Sequence, residues 1–320
     1  MADLTVVIVS WNSRELLQSC LESLRESVDR GLCEVTVVDN GSSDGSPEIV
    51  RFLFPHVKLI ESAQNLGFAR ANNLALAQAR TPYVLLLNSD TLVSAAALEG
   101  MLAAMAADPG LFICTCQHVG ADGRPQDPFG SFPSLRSEAL TATGAADWPI
   151  IGWLIAHRRR RVTMAADRAQ AEHPLVVEVD WVSGACMMLR RGFAESVGGL
   201  DERFFFYSED TDLCLTAWQS GGKVGFLPQL SITHLRGRSG GGDYLRVLRN
   251  WMTTRVQFFQ KHHGPFQTAA LRIIQTTVGA ASFAKWCLLY LVSPSRRNVA
   301  RQWVGFWLGW LTGAGSGTNA

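Results

Sequence analysis

The stretch Leu4-Thr5-Val6-Val7-Ile8-Val9-Ser10-Trp11-Asn12-Ser13, with the leucine-spaced segment behind it, decides the fold. Residues 4–9 form an unbroken apolar, β-branched run, as a strand covered on both faces requires. Ser13 then stands where a helix cap belongs, and Leu16, Leu17, Leu21 and Leu24 recur at helical spacing. A strand feeding a helix through a short polar turn is a β–α unit, and the chain repeats it. Residues 35–38 read as strand, 47–52 as helix, 57–60 as strand, 68–79 as helix and 83–87 as strand. A helix over 95–106 and a strand over 112–116 follow. This alternation predicts an α/β fold with a mainly parallel sheet and helices on both faces. Such sheets bind ligands at the carboxyl ends of their strands. The polar clusters Trp11-Asn12, Asp39-Asn40 and Asn88-Ser89-Asp90 fall at those ends.

With 320 residues, the chain is long enough for one large α/β domain and an appendage. Its 47% hydrophobic and 18% charged residues exclude a disordered polymer. The net charge of +1 hides an asymmetry: of 29 basic and 28 acidic residues, positions 236–320 hold 11 basic and one acidic residue, Asp243. That imbalance predicts an anionic partner for the C-terminal part. No nucleic-acid-binding module is recognisable there, so a membrane surface is the expected partner and nucleic acid is not. The seven cysteines are scattered and read as reduced, buried thiols. Met1-Ala2-Asp3 shows no basic leader, so the expected location is cytoplasmic.

Regularity lapses over 120–171, where Gly, Pro and Ser are frequent and four arginines, Arg158 to Arg161, follow an apolar stretch. This segment reads as a long loop or lid. Order resumes at 176–182, with a helix over 209–220, strands over 224–227 and 231–234, and a helix over 244–262. Residues 271–292 are apolar but interrupted by Arg272 and Lys285, which argues against a membrane span. Val299, Trp303, Phe306, Trp307 and Trp310 then fall on one helical face behind Arg296, Arg297 and Arg301. Trp on one face with Arg at its boundary suits a helix lying in a bilayer interface; a packing helix is the other reading. The expected division is a domain over 1–240, carrying the 120–171 insertion, and a basic, Trp-rich helical region over 241–320.

Four clusters carry chemistry. Residues 201–212 place five carboxylates around Phe204-Phe205-Phe206, and aromatic neighbours desolvate a carboxylate and raise its pKa, as a general base needs. Glu209 and Asp210 are the candidate pair. Asp39-Asn40-Gly41-Ser42-Ser43-Asp44-Gly45-Ser46 ends a strand in a Gly/Ser loop, where a carboxylate can accept from the imide N–H of a pyrimidine. In Asn65-Leu66-Gly67-Phe68-Ala69-Arg70 a Gly opens a helix whose Arg70 can approach a diphosphate or brace acidic residues. Asp90, with Asn88 beside it, offers hard oxygen to Mg²⁺ or Mn²⁺, and His234 is a candidate partner.

Together these segments resemble glycosyltransferase family 2, the inverting enzymes of the GT-A (Rossmann-like) fold, and within it the rhamnosyltransferase-like branch. The matching pieces run in the family's order from Val7-Ile8-Val9-Ser10-Trp11-Asn12 through Asn88-Ser89-Asp90 and Val182-Ser183-Gly184-Ala185 to Phe206-Tyr207-Ser208-Glu209-Asp210 and His234-Leu235-Arg236-Gly237-Arg238-Ser239. The resemblance implies transfer of a sugar, rhamnose first, from a nucleotide-diphosphate donor (dTDP-rhamnose or a UDP-sugar) to an acceptor hydroxyl in bacterial cell-surface polysaccharide synthesis. It implies that Ser10, Trp11, Asn12, Asp39, Asn65, Arg70, Asn88 and Ser89 hold the donor and that Asp90 and His234 hold a divalent metal. Asp210, with Glu209 beside it, would be the base. A glycan or polyprenyl-diphosphate-linked acceptor and a peripheral place on the inner face of the cell membrane are further expectations. The family's metal motif usually has two acids, or Asn-Pro-Asp in this branch, where this chain has Asn88-Ser89-Asp90. The other class of function weighed is a non-catalytic, membrane-associated sugar-nucleotide-binding or scaffold protein.

Overall fold

The computed structural model describes residues 2–142, 176–235 and 244–313. They fall into two compact units, 2–132 with 176–235, and 133–142 with 244–313. The tetra-arginine run, the rest of 143–175 and residues 236–243 lie outside the described residues.

The first unit is built on β1 (Leu4–Ser10), α1 (Arg14–Asp29), β2 (Cys33–Asp39), α2 (Ser46–Leu53), β3 (Lys58–Glu61), α3 (Phe68–Leu76) and β4 (Tyr83–Asn88). After β5 (Thr91–Leu92) come α4 (Ala95–Ala107), β6 (Leu111–Val119), β7 (Pro125–Gln126) and β8 (Phe129–Gly130). The unit resumes with β9 (Val177–Glu178), β10 (Trp181–Val182), β11 (Cys186–Arg190), α6 (Arg191–Ser196), α7 (Glu209–Gln219) and β12 (Lys223–His234). Strands β3, β2, β1 and β4 pair in parallel, as the β–α alternation predicts. The order continues β11-β6-β12-β5, with β11 antiparallel to both its neighbours and β12 parallel to β6.

Both sheet faces are buried because alternate residues of each strand serve opposite helix layers. Val6 and Ile8 pack with Leu17, Leu21 and Leu24 of α1 and Met101 of α4, whereas Val7 and Leu86 pack with Ala71 and Ala75 of α3 and Leu213 of α7. Each of these Val, Leu, Ile and Met side chains removed from water stabilises the fold by about 1.5–3 kcal/mol. The parallel register sets Ser10 level with Asp39, and Val9 level with both Val38 and Asn88, so the polar clusters meet along one edge.

Four local expectations change. Ser13 does not cap α1; its hydroxyl instead bonds those of Ser10 (2.9 Å) and Ser89 (3.0 Å) in a buried chain. The segments 224–227 and 231–234 are one strand whose register on β6 slips between Leu227 and Ser231, where Pro228 can donate no ladder hydrogen bond. The start of the 120–171 segment is ordered as β7, β8 and a helix, α5 (Leu135–Ala142), rather than loop throughout. The fourth change concerns the tryptophans of the second unit.

That unit comprises α5, α8 (Tyr244–His262), α9 (Gly264–Val292), a 3₁₀ turn (Pro294–Arg296) and α10 (Arg297–Thr312). Phe306 and Trp307 of α10 are buried with Met252 of α8, and Trp303 stacks on Trp286 of α9 at 5.4 Å. Gly279 admits Trp307, since a Cβ there would lie 3.1 Å from the indole. Of the five stripe residues expected to face lipid, four, Trp303, Phe306, Trp307 and Trp310, therefore pack within the helical unit, and Val299 stays exposed. Glu138 of α5 forms an ion pair with Arg255 of α8 at 3.2 Å. Among the described residues no helix is long and apolar enough to cross a membrane.

Candidate active site

At the carboxyl edge of the sheet, Asp39 ends β2 with a 3% exposed side chain. Its Oδ2 accepts from Ser42 N–H at 3.0 Å, while Oδ1 has no hydrogen-bond partner among the described residues. A cavity of about 320 Å³ opens there, lined by Asp39, Gly41, Ser42, Ser43, Pro47 and Ser62 among others. The Gly/Ser loop is held open by Asn12, whose N–H donates to Ser42 Oγ and whose Oδ1 accepts from Ser43 N–H. Asn12 has a left-handed backbone, φ 48°.

From β2 a run of hydrogen bonds passes around the edge. Asn40 donates to Asn65 Oδ1 (3.0 Å) and to Gly67 O (3.2 Å), and accepts from Leu66 N–H (2.8 Å). Gly67 sits at φ +81°, and a Cβ would lie 2.5 Å from the Phe205 carbonyl, which accepts from Phe68 N–H at 2.7 Å. The aromatic segment is thereby docked on the start of α3. It enters α7 through Tyr207 and Ser208, at φ 77° and 71°. Residues other than glycine seldom occupy that region, and such conformations gather at sites whose surroundings enforce them.

Two carboxylates then diverge. Glu209 is buried, its Oε2 has no hydrogen-bond partner among the described residues, and burial, followed by the charge of Asp210, pushes its carboxyl well above the usual range. Asp210 is half-buried and oriented by two backbone donors, Gly184 N–H to Oδ2 (3.1 Å) and Thr211 N–H to Oδ1 (2.7 Å). Beside Gly184, Ala185 O accepts from Asn88 N–H at 3.0 Å. The turn after Asn88 carries Asp90, whose backbone O accepts from Leu235 N–H at 2.9 Å. Asp90 Oδ1 lies 3.4 Å from His234 Nε2, both side chains being buried.

The family profile described as Glycosyl transferase family 2 matches residues 5–162. Over 288 residues the chain is 30% identical to N-acetylglucosaminyl-diphospho-decaprenol L-rhamnosyltransferase of Mycobacterium tuberculosis, covering 84% of this chain and 88% of that one. The chain belongs to glycosyltransferase family 2. The putative teichuronic acid biosynthesis glycosyltransferase TuaG of Bacillus subtilis is 26% identical over 228 residues, 70% of this chain and 86% of the relative. Among solved structures, the mannosyltransferase PcManGT from Pyrobaculum calidifontis, in complex with GDP-Man and Mn²⁺, superposes with a TM-score of 0.54 at 18% identity, over 98% of this chain and 86% of that one. That likeness supports the GT-A fold, and the family assignment makes this chain a glycosyltransferase.

In this family 2 chain local hydrogen bonds link Asn40 with Asn65, Gly184 with Asp210 and Ala185 with Asn88, and Asp90 meets His234, while of these candidates only Asp39 lines the cavity. Ser10 and Ser89 lie beneath the edge, joined through Ser13, and Trp11 is half-buried beside Asn12. Arg70 stands apart on the exposed face of α3, its Nε 3.9 Å from Glu202. Sequence reasoning missed Gly184, Tyr207 and Ser208 as shapers of the site, although the quoted motifs contain all three. It also missed Gln126, which bonds His234 from the segment read as loop.

The residues present suit a divalent cation at Asp90 and His234. Ligand bonds of about 2.1 Å at ordinary coordination angles separate two donor atoms by about 3.0–3.4 Å, and the observed gap is 3.4 Å. Among the described residues no group of three His, Cys, Asp or Glu is placed to hold a metal. Such a cation would complete its shell from diphosphate oxygens and water, as Mg²⁺ commonly does.

Proposed function

We propose that this glycosyltransferase moves L-rhamnose from dTDP-rhamnose, with a UDP-hexose as the second choice of donor, onto an acceptor hydroxyl of a polyprenyl-diphosphate-linked glycan, inverting the anomeric centre. The observation that carries this reading is the buried Asp39 carboxylate, with one open acceptor oxygen, on a cavity at the carboxyl edge of the sheet, the edge at which β4 ends next to Asp90. Asp39 Oδ1 accepts the imide N–H of a pyrimidine base. Asp90 and His234 hold a divalent metal, which when bound neutralises charge on the departing diphosphate. Asp210, aimed by Gly184 and Thr211, takes the proton from the acceptor hydroxyl. Attack from the side opposite the diphosphate inverts the sugar. The rhamnose and lipid-linked acceptor are suggested by the mycobacterial relative's name, and the metal by the Mn²⁺ in PcManGT.

The enzyme is further proposed to work in cell-surface polysaccharide assembly, peripherally on the inner face of the membrane. Support comes from α9 and α10, where Leu288, Leu291, Val292 and Val299 are exposed close to Lys285, Arg296, Arg297 and Arg301. Incubating purified protein with dTDP-rhamnose and UDP-hexoses, with and without Mn²⁺ and a lipid-linked acceptor, tests the donor and metal assignments through released nucleoside diphosphate. The anomeric configuration of the product, read by NMR, tests inversion. Asp210→Asn is expected to lower turnover by at least about 10³-fold while donor affinity stays within a few-fold. Equal loss of both would make Asp210 structural.

A further inference from the structure

Gln126, on β7, makes a reciprocal pair with His234. Its Nε2 donates to the His234 carbonyl at 2.9 Å, and its Oε1 faces His234 Nδ1 at 3.1 Å. The orientation of this amide follows from chemistry. A backbone carbonyl can only accept, so the nitrogen of Gln126 belongs on that side and the oxygen belongs on the imidazole. The amide oxygen in turn can only accept, so His234 Nδ1 must carry the hydrogen. A neutral imidazole has one N–H. With the imidazole in its neutral form, Nε2 presents a lone pair 3.4 Å from Asp90 Oδ1.

Gln126 is itself held in place. Its backbone carbonyl accepts from Gln117 Nε2 at 2.8 Å, and its strand pairs Gln126 with His118 of β6. The His118 ring meets that of His234 edge-on, with centroids 5.6 Å apart, and restricts the tilt of the imidazole. His118 Nε2 lies 3.3 Å from Thr115 Oγ1, whose hydroxyl donates to Cys186 O at 2.6 Å, so this second ring is also fixed from behind.

We propose that Gln126 is a positioning residue that locks His234 in the Nδ1–H tautomer, so that its Nε2 and Asp90 Oδ1 together accept one divalent cation. The inference rests on the proposed metal role of Asp90 and His234. Groups that hydrogen-bond the far nitrogen of a metal-binding histidine fix its tautomer and ring orientation, and losing one costs about 10–100-fold in metal affinity.

The test compares full-length wild type with Gln126→Leu and Gln126→Glu. Long-range ¹H–¹⁵N NMR, with the His234 signals assigned through a His234→Asn variant, reads the tautomer without metal. Electron paramagnetic resonance in the presence of dTDP or UDP reads Mn²⁺ affinity. The expected result is an Nδ1–H tautomer in wild type and in Gln126→Glu, whose carboxylate still accepts from the ring. Gln126→Leu is expected to populate Nε2–H and to bind Mn²⁺ about 10–100-fold more weakly. An Nε2–H tautomer in wild type overturns the proposal, as does a Gln126→Leu variant that melts earlier yet keeps tautomer and affinity. Wild type that shows Nδ1–H but binds no Mn²⁺ instead overturns the metal reading of Asp90 and His234, and the two failures are thus told apart.

Discussion

Glu209 and Asp210 are consecutive, yet the first turn of α7 gives them opposite surroundings. Asp210 keeps water on one side and two backbone donors on the other, whereas Glu209 points into the protein with one oxygen unpartnered among the described residues. Burial raises the Glu209 pKa above its ordinary value of 4.5, with the neighbouring Asp210 charge adding to it. Because the folded-state pKa is the higher one, the buried acid costs the fold nothing below 4.5. It becomes a burden as pH climbs from there to the folded value. Glu209→Gln is therefore expected to melt a few degrees above wild type at pH 8, with the gap closing by pH 4. Calorimetric scans at both pH values check this, and a gap independent of pH would rule out the ionisation argument. The sequence made legible that aromatic neighbours desolvate this pair. It could not show which carboxylate turns inward, because that depends on the two left-handed residues, Tyr207 and Ser208, which set the entry angle of α7.

Among elements, the β–α alternation was readable because each strand is an apolar run and each helix a periodic one. What escaped were the elements whose existence depends on partners. Strand β11 reads Cys-Met-Met-Leu-Arg, without β-branched residues, and is a strand because β4 and β6 leave a gap for it. Two-residue β7 has no pattern at all, yet it delivers Gln126 to His234. Ser13 has the composition of a cap and is used instead to join the ends of β1 and β4. The start of α3 shows how tightly these junctions are set. Gly67→Ala would press a methyl group on the Phe205 carbonyl at a backbone angle that side chains rarely adopt. It is expected to cost at least about 2 kcal/mol and to displace the segment leading to Asp210. Chemical denaturation and turnover should therefore fall together, and an unchanged unfolding midpoint would show that the junction yields.

For the molecule as a whole, the charge asymmetry of the sequence and its tryptophan stripe prove to be separate features. Trp303, Phe306, Trp307 and Trp310 of the stripe build the interior of the helical unit, and the surface left over carries Leu288, Leu291, Val292 and Val299 near exposed arginines. Apolar side chains beside cations suit anionic lipid. In flotation with phosphatidylglycerol vesicles, wild type is expected to rise with the lipid. A Leu288→Ser/Leu291→Ser/Val292→Ser variant is expected to stay behind, its folded stability little changed because these side chains are already in water. Wild type that remains at the bottom would remove the membrane from the proposal.

The Glu138–Arg255 ion pair fastens α5 to helices that lie more than a hundred residues downstream. A shortened protein ending near residue 243 would still carry α5 but would strip its half of the helical unit of every companion. Glu138 would lose its counter-charge, and the apolar side of α5 would be left wet. The two units thus cannot be parted by one cut, and a free-standing catalytic half has to be made by excising two stretches of chain.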